Sequence, residues 1–254
     1  MSLDPALLLV GLPAILVVSI GKGAFGGGLA MLGVPLLSLA VDPISATIIV
    51  APLVAFMDVF ALAAFRVSTW SKPDLLWLLP GLLVGIGIGN AVLFLVDPRI
   101  VTLLIAAITL AFVADYFLRA RRRAATAHPV SPALALVAGA ASGFTTFIAH
   151  AGGPPVAMYL LRRGVTKTLF AGTTVALFAI SNLIKLPTYA ALGWNRPGIV
   201  AGVLALAPTV PVGVWIGKRL HDALPQARLF FWCYLILGGA ALKLFVDAVR
   251  GFFA

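Results

Sequence analysis

Long apolar runs alternate with short polar stretches along the whole chain. Five apolar segments can be drawn in each half. They cover about residues 5–20, 29–40, 44–65, 74–96, 99–118, 132–148, 154–161, 168–192, 197–217 and 228–249. At a rise of about 1.5 Å per residue, the longer segments reach across a hydrocarbon core of roughly 30 Å. The pattern predicts an all-α polytopic membrane protein.

The first two segments of each half are short, and breaks rich in glycine or proline lie beside them. The first break, residues 21–28, contains five glycines and Lys22. The second break, residues 143–155, contains His150 and ends in a Gly-Gly-Pro-Pro run. Non-helical backbone at membrane depth is tolerated only where protein buries it or where it lines a wet cavity. Matching breaks in two halves therefore indicate a transporter binding site.

The second half of the chain repeats the first at a nearly constant offset. An offset of 124 residues places Asp58 on Asn182 and the tract 65–73 on the tract 189–197. The order of these matches indicates a duplication. We therefore predict two repeats of about five helical segments each.

The predicted repeats are residues 1–123, which include a basic linker, and residues 124–254. Their basic residues indicate how the repeats are oriented in the membrane. If each repeat crosses the membrane an odd number of times, twelve of the eighteen Lys and Arg residues lie on one face and three on the other. Four crossings per repeat would divide them eight against seven. Because basic residues collect in cytoplasmic loops, the odd count is favoured, which gives inverted-topology repeats with both termini outside. The expected cytoplasmic loops are 66–72, 119–123, 162–167 and 218–228. A parallel arrangement of four plus four spans is the alternative.

Composition narrows the class further. The chain is 62% hydrophobic and only 10% charged, whereas a soluble domain is about a quarter charged. Basic cytoplasmic loops account for the net charge of +10, so nucleic acid is not expected as a partner. The single cysteine, Cys233, excludes an intramolecular disulfide and a cysteine-based metal cluster. No catalytic, Walker or haem-ligand motif is present, so we expect neither an enzyme nor a cofactor nor a metal site.

Both breaks contribute candidate ligands for a small anion. Glycine lets backbone N–H groups approach a ligand, and the N-terminus of a helix favours negative charge. The expected substrate-binding residues are Lys22, Gly23, Gly26, Gly27, Gly28, Thr145, Thr146, His150, Gly152 and Gly153. The glycines could instead serve only close helix packing, and the threonine hydroxyls could bond back to their own helix.

Three further polar residues, Asp58, Asn182 and Lys185, lie inside full-length spans. Ionisable groups are costly there and usually face a cavity or a partner. We expect these three close behind the anion, where Asp58 could pair with Lys185. Asp58 or His150 could also carry a coupling proton. The residues leave open whether a proton is coupled and whether the protein forms a homodimer.

Both breaks resemble motifs of one known family. Residues 21–35 resemble the first motif of the sulfite exporter TauE/SafE family, with the tract Gly-Lys-Gly-Ala-Phe-Gly-Gly-Gly-Leu-Ala-Met-Leu-Gly-Val-Pro. Residues 143–156 resemble its second motif, with Gly-Phe-Thr-Thr-Phe-Ile-Ala-His-Ala-Gly-Gly-Pro-Pro-Val. The resemblance implies a permease of the bacterial inner membrane for sulfite, organosulfonates or related small anions. It also implies seven to eight spans, which disagrees with an odd number of crossings per repeat.

The expected function is secondary-active transport of a small anion by alternating access to a site between the two breaks. The resemblance implies that this anion is sulfite or an organosulfonate. A passive anion channel, a permease for other small organic anions and a membrane-embedded enzyme or sulfur-relay component are the alternatives. A channel does not require two matched breaks that close on one site.

Overall fold

The computed structural model of the protein is helical throughout its described part, with no strand there, which confirms the all-α class. Gly28, the basic linker 119–123 and much of the segment 99–118 lie outside the described residues. The structure describes residues 5–27, 30–92, 100, 103, 106–107, 110, 113–114, 117–118, 129–150 and 152–253.

The α-helices of the described residues follow the predicted segments closely. A short 3₁₀ turn, Ala30–Leu32, precedes the second helix, and another, Val67–Thr69, precedes the fourth. In chain order the helices are α1 (Pro5–Phe25), α2 (Gly33–Leu37), α3 (Pro43–Ala64), α4 (Lys72–Val92), α5 (Pro132–Ala149), α6 (Gly153–Arg162), α7 (Lys167–Gly193), α8 (Ile199–Leu206), α9 (Thr209–Ala223) and α10 (Gln226–Phe253).

Several helices meet the requirements for crossing a membrane. Four helices of the described chain, α1, α3, α4 and α7, are long and apolar enough to do so, and α8 with α9 makes a fifth if this bent pair is one span. The pair, predicted as the single segment 197–217, bends by 40°. Pro208 lies between the two helices, where it can neither donate a backbone hydrogen bond nor fit the preceding turn. The protein is a polytopic membrane protein.

The first helix is longer than expected. It has 21 residues and ends at Phe25 rather than near residue 20, so the prediction of a short first segment was wrong for the first half of the chain. Glycine is a poor helix former, but Gly23 lies where α9 comes closest. A Cβ atom on Gly23 would lie 2.2 Å from the carbonyl oxygen of Val214. Close helix packing therefore explains why the helix continues through this glycine.

The described chain divides into two compact units. The first unit is Met1–Trp70 with Ala171–Leu224, and the second unit is Ser71–Phe170 with Pro225–Ala254. Each unit combines parts of both sequence halves, so the units do not follow the boundary at residue 123. A sequence repeat need not be a compact unit, and the division into two repeats stays a prediction.

The first unit is organised by the contact of α1 with α9. A Cβ on Gly217 would lie 2.1 Å from the carbonyl oxygen of Ile20, and one on Gly213 would lie 2.4 Å from the Cβ of Ser19. Helices without side chains at their contact approach closely, which is how small residues drive association in membranes. The apolar core of the unit, which includes Ile15, continues from this contact onto α3.

In the second unit, α4 and α5 also pack closely at glycine residues. A Cβ on Gly85 would lie 2.0 Å from the carbonyl oxygen of Ala140, and one on Gly143 would lie 2.1 Å from that of Leu82. Gly143, the first residue of the second break, therefore packs one helix against another. The contact fixes α5, whose C-terminus leads into the second break.

Candidate functional site

A buried polar cluster lies inside the first unit, and we call its four residues, Lys22, Asp58, Asn182 and Lys185, the Lys22 cluster. Lys22 Nζ on α1 lies 2.5 Å from Asp58 Oδ1 on α3. Asn182 on α7 donates its amide N–H to Asp58 Oδ2 at 2.7 Å. Lys185 follows Asn182 by one helical turn and lies within electrostatic range of both Asp58 and Lys22. Three helices thus bring these four residues together. The sequence had predicted a role for each of them but not their contacts.

The Lys22 cluster is almost closed to solvent. The relative exposures of Lys22, Asp58, Asn182 and Lys185 are 1%, 4%, 8% and 1%. Among the described residues, only Asp58 pairs with the Lys22 ammonium, and the angles of that contact do not make a hydrogen bond. The ammonium carries three N–H donors. A ligand with several acceptor oxygens could therefore bind it without displacing a hydrogen bond.

Gly27 packs closely against this ammonium. A Cβ on Gly27 would lie 3.2 Å from Lys22 Nζ and 3.3 Å from Cδ2 of Phe178. The φ angle of Gly27 is +133°, a value that L-residues rarely adopt. The Phe178 ring lies near the same ammonium, with its centroid 5.9 Å from Nζ. The ammonium and the ring therefore approach so closely that glycine is the residue that fits at position 27.

The other glycines of the first break are explained by packing. Gly26 has φ +82°, and a Cβ there would lie 2.4 Å from the carbonyl oxygen of Ala171. Gly23 packs against α9, as described above. A role of Gly23 or Gly26 in binding stays a prediction, and Gly28 lies outside the described residues.

The second break begins where α5 ends. His150 follows the last helical residue in the left-handed conformation, with φ 52° and ψ 22°. Its backbone N–H donates to the carbonyl oxygen of Thr146 at 3.2 Å, which caps the helix. Ser142 Oγ donates to the carbonyl oxygen of Gly152 at 2.8 Å and ties the break to α5. The His150 side chain is buried.

The helix after the second break offers few backbone donors. Helix α6 begins at Gly153, with Gly152 as its N-cap. The first four N–H groups of a helix have no partner within it. Pro154 and Pro155 remove two of the four, because proline has no N–H. The amides of Gly152 and Gly153 are the donors that remain, and both residues were among the predicted ligands.

The two threonines of the second break differ in what they can give an anion. Thr145 Oγ1 donates to the carbonyl oxygen of Ala141 at 2.8 Å, the local alternative that the sequence had left open. Its hydroxyl proton would have to rotate away before it could bind an anion. Thr146 is buried, with 4% exposure. Their roles as ligands stay predictions.

The two breaks belong to different compact units. Lys22 and Gly27 lie in the first unit, whereas His150, Gly152 and Gly153 lie in the second. The prediction that the breaks face each other across one anion therefore stays a prediction. The Lys22 cluster lies wholly within the first unit and does not depend on it.

His221, which the sequence reasoning missed, stabilises the end of the helix that carries Lys22. It is buried on α9, and its Nδ1 lies 2.8 Å from the carbonyl oxygen of Ala24, in the last turn of α1. Carbonyls at a helix C-terminus have no partner within the helix, so an imidazole N–H is a suitable donor. The Phe65 ring meets the imidazole edge-on, with centroids 5.0 Å apart. The spacing of Gly213, Gly217 and His221 at every fourth position was the available signal, since it marks one face of a helix.

A second group missed from the sequence lies around Asp74 at the start of α4. This carboxylate is fully buried and accepts hydrogen bonds from Ser71 Oγ at 2.6 Å, Tyr159 Oη at 2.6 Å and Arg163 Nε at 2.9 Å. Tyr159 lies on α6, and Arg163 follows it directly. We call this group of four residues the Asp74 clamp. It holds the C-terminal end of α6 against the start of α4. Arg163 had been assigned only to a basic loop.

The apolar spans and the buried ionisable residues within them define an integral membrane protein with a polar site inside the protein. The family model described as Sulfite exporter TauE/SafE matches residues 11–244 of the chain. The protein therefore belongs to the sulfite exporter TauE/SafE family, as residues 21–35 and 143–156 had indicated. The members of this family are membrane transporters and not enzymes. Membership therefore implies that the substrate is a small anion. The comparisons with curated proteins and with solved structures gave no match.

Proposed function

We propose that the protein is a secondary-active transporter of sulfite or an organosulfonate and that the Lys22 cluster binds the transported anion. The observation that carries the proposal is the charge of this cluster: two lysines and one aspartate are buried among three helices. Ionisable residues inside membrane spans are costly, and those that face the interior of the protein often mark the path of a transported ion. Membership of the family supports the choice of substrate.

The sequence pattern of two matched breaks leads us to propose that the second break also contributes to anion binding. Its contribution would come from the backbone amides of Gly152 and Gly153, with Thr146 and His150 beside them. Alternating exposure of a site between two such breaks is the general mechanism of transporters with discontinuous helices. A coupling proton, carried by Asp58 or His150, belongs to the same proposal. A homodimer stays open.

The proposed topology is an inverted repeat in the inner membrane. The basic loops 66–72, 119–123, 162–167 and 218–228 would be cytoplasmic, and both termini would lie outside. A contact supports the pseudo-twofold relation: Asp58 and Asn182, which are equivalent at the offset of 124, bond to each other at 2.7 Å. Only residues near a twofold axis can meet their own equivalents. Four plus four spans is the alternative.

A binding screen tests the proposed substrate class. Purified protein in detergent would be heated with sulfite, thiosulfate, sulfate, sulfoacetate, taurine or simple carboxylates, and the shift of the unfolding temperature would be measured. A ligand that binds only the folded state raises this temperature. Sulfite or an organosulfonate should give the largest shift, and the absence of a shift with every anion would refute the proposal.

Counterflow in proteoliposomes separates a carrier from a passive channel. Vesicles are loaded with unlabelled anion, and the uptake of labelled anion is followed. A carrier exchanges the two, so the internal anion should stimulate uptake and the rate should saturate. Conductance without saturation or exchange would show a channel, and chemical turnover without transport would show an enzyme.

A further inference from the structure

A tryptophan and an arginine are stacked on the outer side of α9. The inner side of this helix, which packs on α1, contains the buried residues Gly213, Gly217 and His221. Trp215 and Arg219 lie four positions apart on the opposite side, and both are exposed. Arg219 Cζ lies 4.8 Å from the centroid of the Trp215 ring. This cation–π contact places the guanidinium against an aromatic ring at the surface of the first unit.

The charge of Arg219 is not neutralised by a described carboxylate. Asp222 follows Arg219 by three positions on the same helix, but both of its carboxylate oxygens lie 2.5 Å from Lys218 Nζ. The ion pairs of the described residues do not include Arg219. A guanidinium has five N–H donors in its plane, and stacking on a ring leaves them directed outward. They are therefore available to the oxygens of a phosphate.

Exposed apolar side chains lie along the same pair of helices as Trp215 and Arg219. Val212 on α9 and Leu204 on α8 are 52% and 67% exposed. Because α8 and α9 together are long and apolar enough for one membrane span, these side chains are placed to contact lipid chains. Tryptophan is enriched where a span meets the polar interface, and arginine extends its charge toward that interface.

We propose that Trp215 and Arg219 form a binding site for an anionic phospholipid. The guanidinium binds the headgroup phosphate, the indole lies at the interface, and an acyl chain covers exposed apolar residues such as Val212. Lys218, Arg219 and Asp222 together carry one net positive charge at the surface, which an anionic headgroup neutralises and a zwitterionic headgroup does not. A soluble anion would contact the arginine and leave the apolar surface uncovered.

This site is separate from the proposed anion site, because it shares no residue with the Lys22 cluster. Native mass spectrometry of protein released from detergent measures lipid binding directly. Dioleoylphosphatidylglycerol and dioleoylphosphatidylcholine, which have the same acyl chains and different headgroups, would each be titrated. The wild-type protein should bind the phosphatidylglycerol at least about fivefold more tightly. Equal affinity for the two lipids would overturn the proposal.

Substitutions at the stacked pair test which residues bind the lipid. Arg219→Gln should weaken phosphatidylglycerol binding by at least about fivefold and leave phosphatidylcholine binding unchanged, because glutamine carries no charge. Trp215→Leu keeps an apolar side chain but removes the ring, and it should also weaken phosphatidylglycerol binding. Arg228→Gln is the matched control, since Arg228 is another exposed arginine of the loop 218–228. It should bind both lipids like the wild type.

Thermal unfolding without added lipid should give the same temperature for all three variants, because each changes an exposed side chain. Wild-type affinity of Arg219→Gln for phosphatidylglycerol would overturn the proposal. An equal loss of affinity in Arg228→Gln would also overturn it, since the attraction would then be a general property of the basic surface. A dimer that Trp215→Leu dissociates would show that a second copy of the chain covers this face instead of a lipid.

Discussion

Lys22 and Gly27 are the two residues of the first break that meet in the buried polar cluster. The Lys22 ammonium lies 2.5 Å from Asp58 Oδ1, and a Cβ at Gly27 would lie 3.2 Å from that ammonium. An ionisable residue within an apolar run is conspicuous in a sequence, which is why Lys22, Asp58 and Lys185 could be predicted one by one. Their pairing could not, because the period of a helix relates only residues on one helix. The structure pairs Asp58 directly with Lys22, and Lys185, the partner that the sequence had suggested, interacts electrostatically with the same carboxylate.

If the Lys22 ammonium binds the anion as proposed, Gly27→Ala should weaken binding by at least about tenfold, because the new methyl group would lie 3.2 Å from Nζ and push the ammonium from its position. It should also destabilise the protein by about 1–3 kcal/mol, since φ is +133° there. Gly198→Ala is the matched control: Gly198 has φ +87° but open space around it. Both variants should lose stability in thermal unfolding. Equal anion affinity of the two would show that the position of the ammonium beside Gly27 does not affect binding.

At the scale of the helices, the sequence predicted where they lie better than where they end. Glycine content suggested that the first helix stops near residue 20, but α9 packs on Gly23 and the helix continues to Phe25. Tertiary packing outweighs the poor helix propensity of glycine here. The Asp74 clamp was missed for a similar reason: Asp74 and Tyr159 lie 85 positions apart and meet only after folding.

Breaking the Asp74 clamp should destabilise the second unit. The change Asp74→Ala removes the acceptor shared by Tyr159 and Arg163, and loss of a buried ionic partner costs about 3–5 kcal/mol. Asp222→Ala is the control, because its carboxylate pairs with Lys218 near the surface, where such a pair contributes at most about 1 kcal/mol. Thermal unfolding in detergent measures both. Similar unfolding temperatures for the two variants would show that the clamp does not hold α6.

At the scale of the whole molecule, the class and family could be predicted and the arrangement of the halves could not. Hydrophobic runs and two motifs sufficed for a polytopic protein of this family. The compact units, in contrast, each combine parts of both halves. The predicted repeats rest on sequence similarity between the halves, whereas compactness depends on which helices pack together. The direction of each repeat in the membrane rests on the basic residues alone.

Reporter fusions test that direction. Reporters joined after residues 121, 165 and 222 should all be active on the cytoplasmic side, because the proposed inverted repeat would place these three loops on one face. A fusion at the N-terminus should report the opposite side. Residue 165 or 222 on the face opposite residue 121 would show the arrangement of four plus four spans instead.

The central claim is that the Lys22 ammonium binds the transported anion, and equilibrium binding of radiolabelled sulfite tests it most directly. Lys22→Gln should still fold, because Lys185 remains to neutralise Asp58. Its affinity should fall about a hundredfold or more, as expected when a buried charged partner of a ligand is removed. Lys243→Gln, which changes an exposed lysine paired with Asp247, should bind like the wild type. Unchanged affinity of Lys22→Gln would contradict the account.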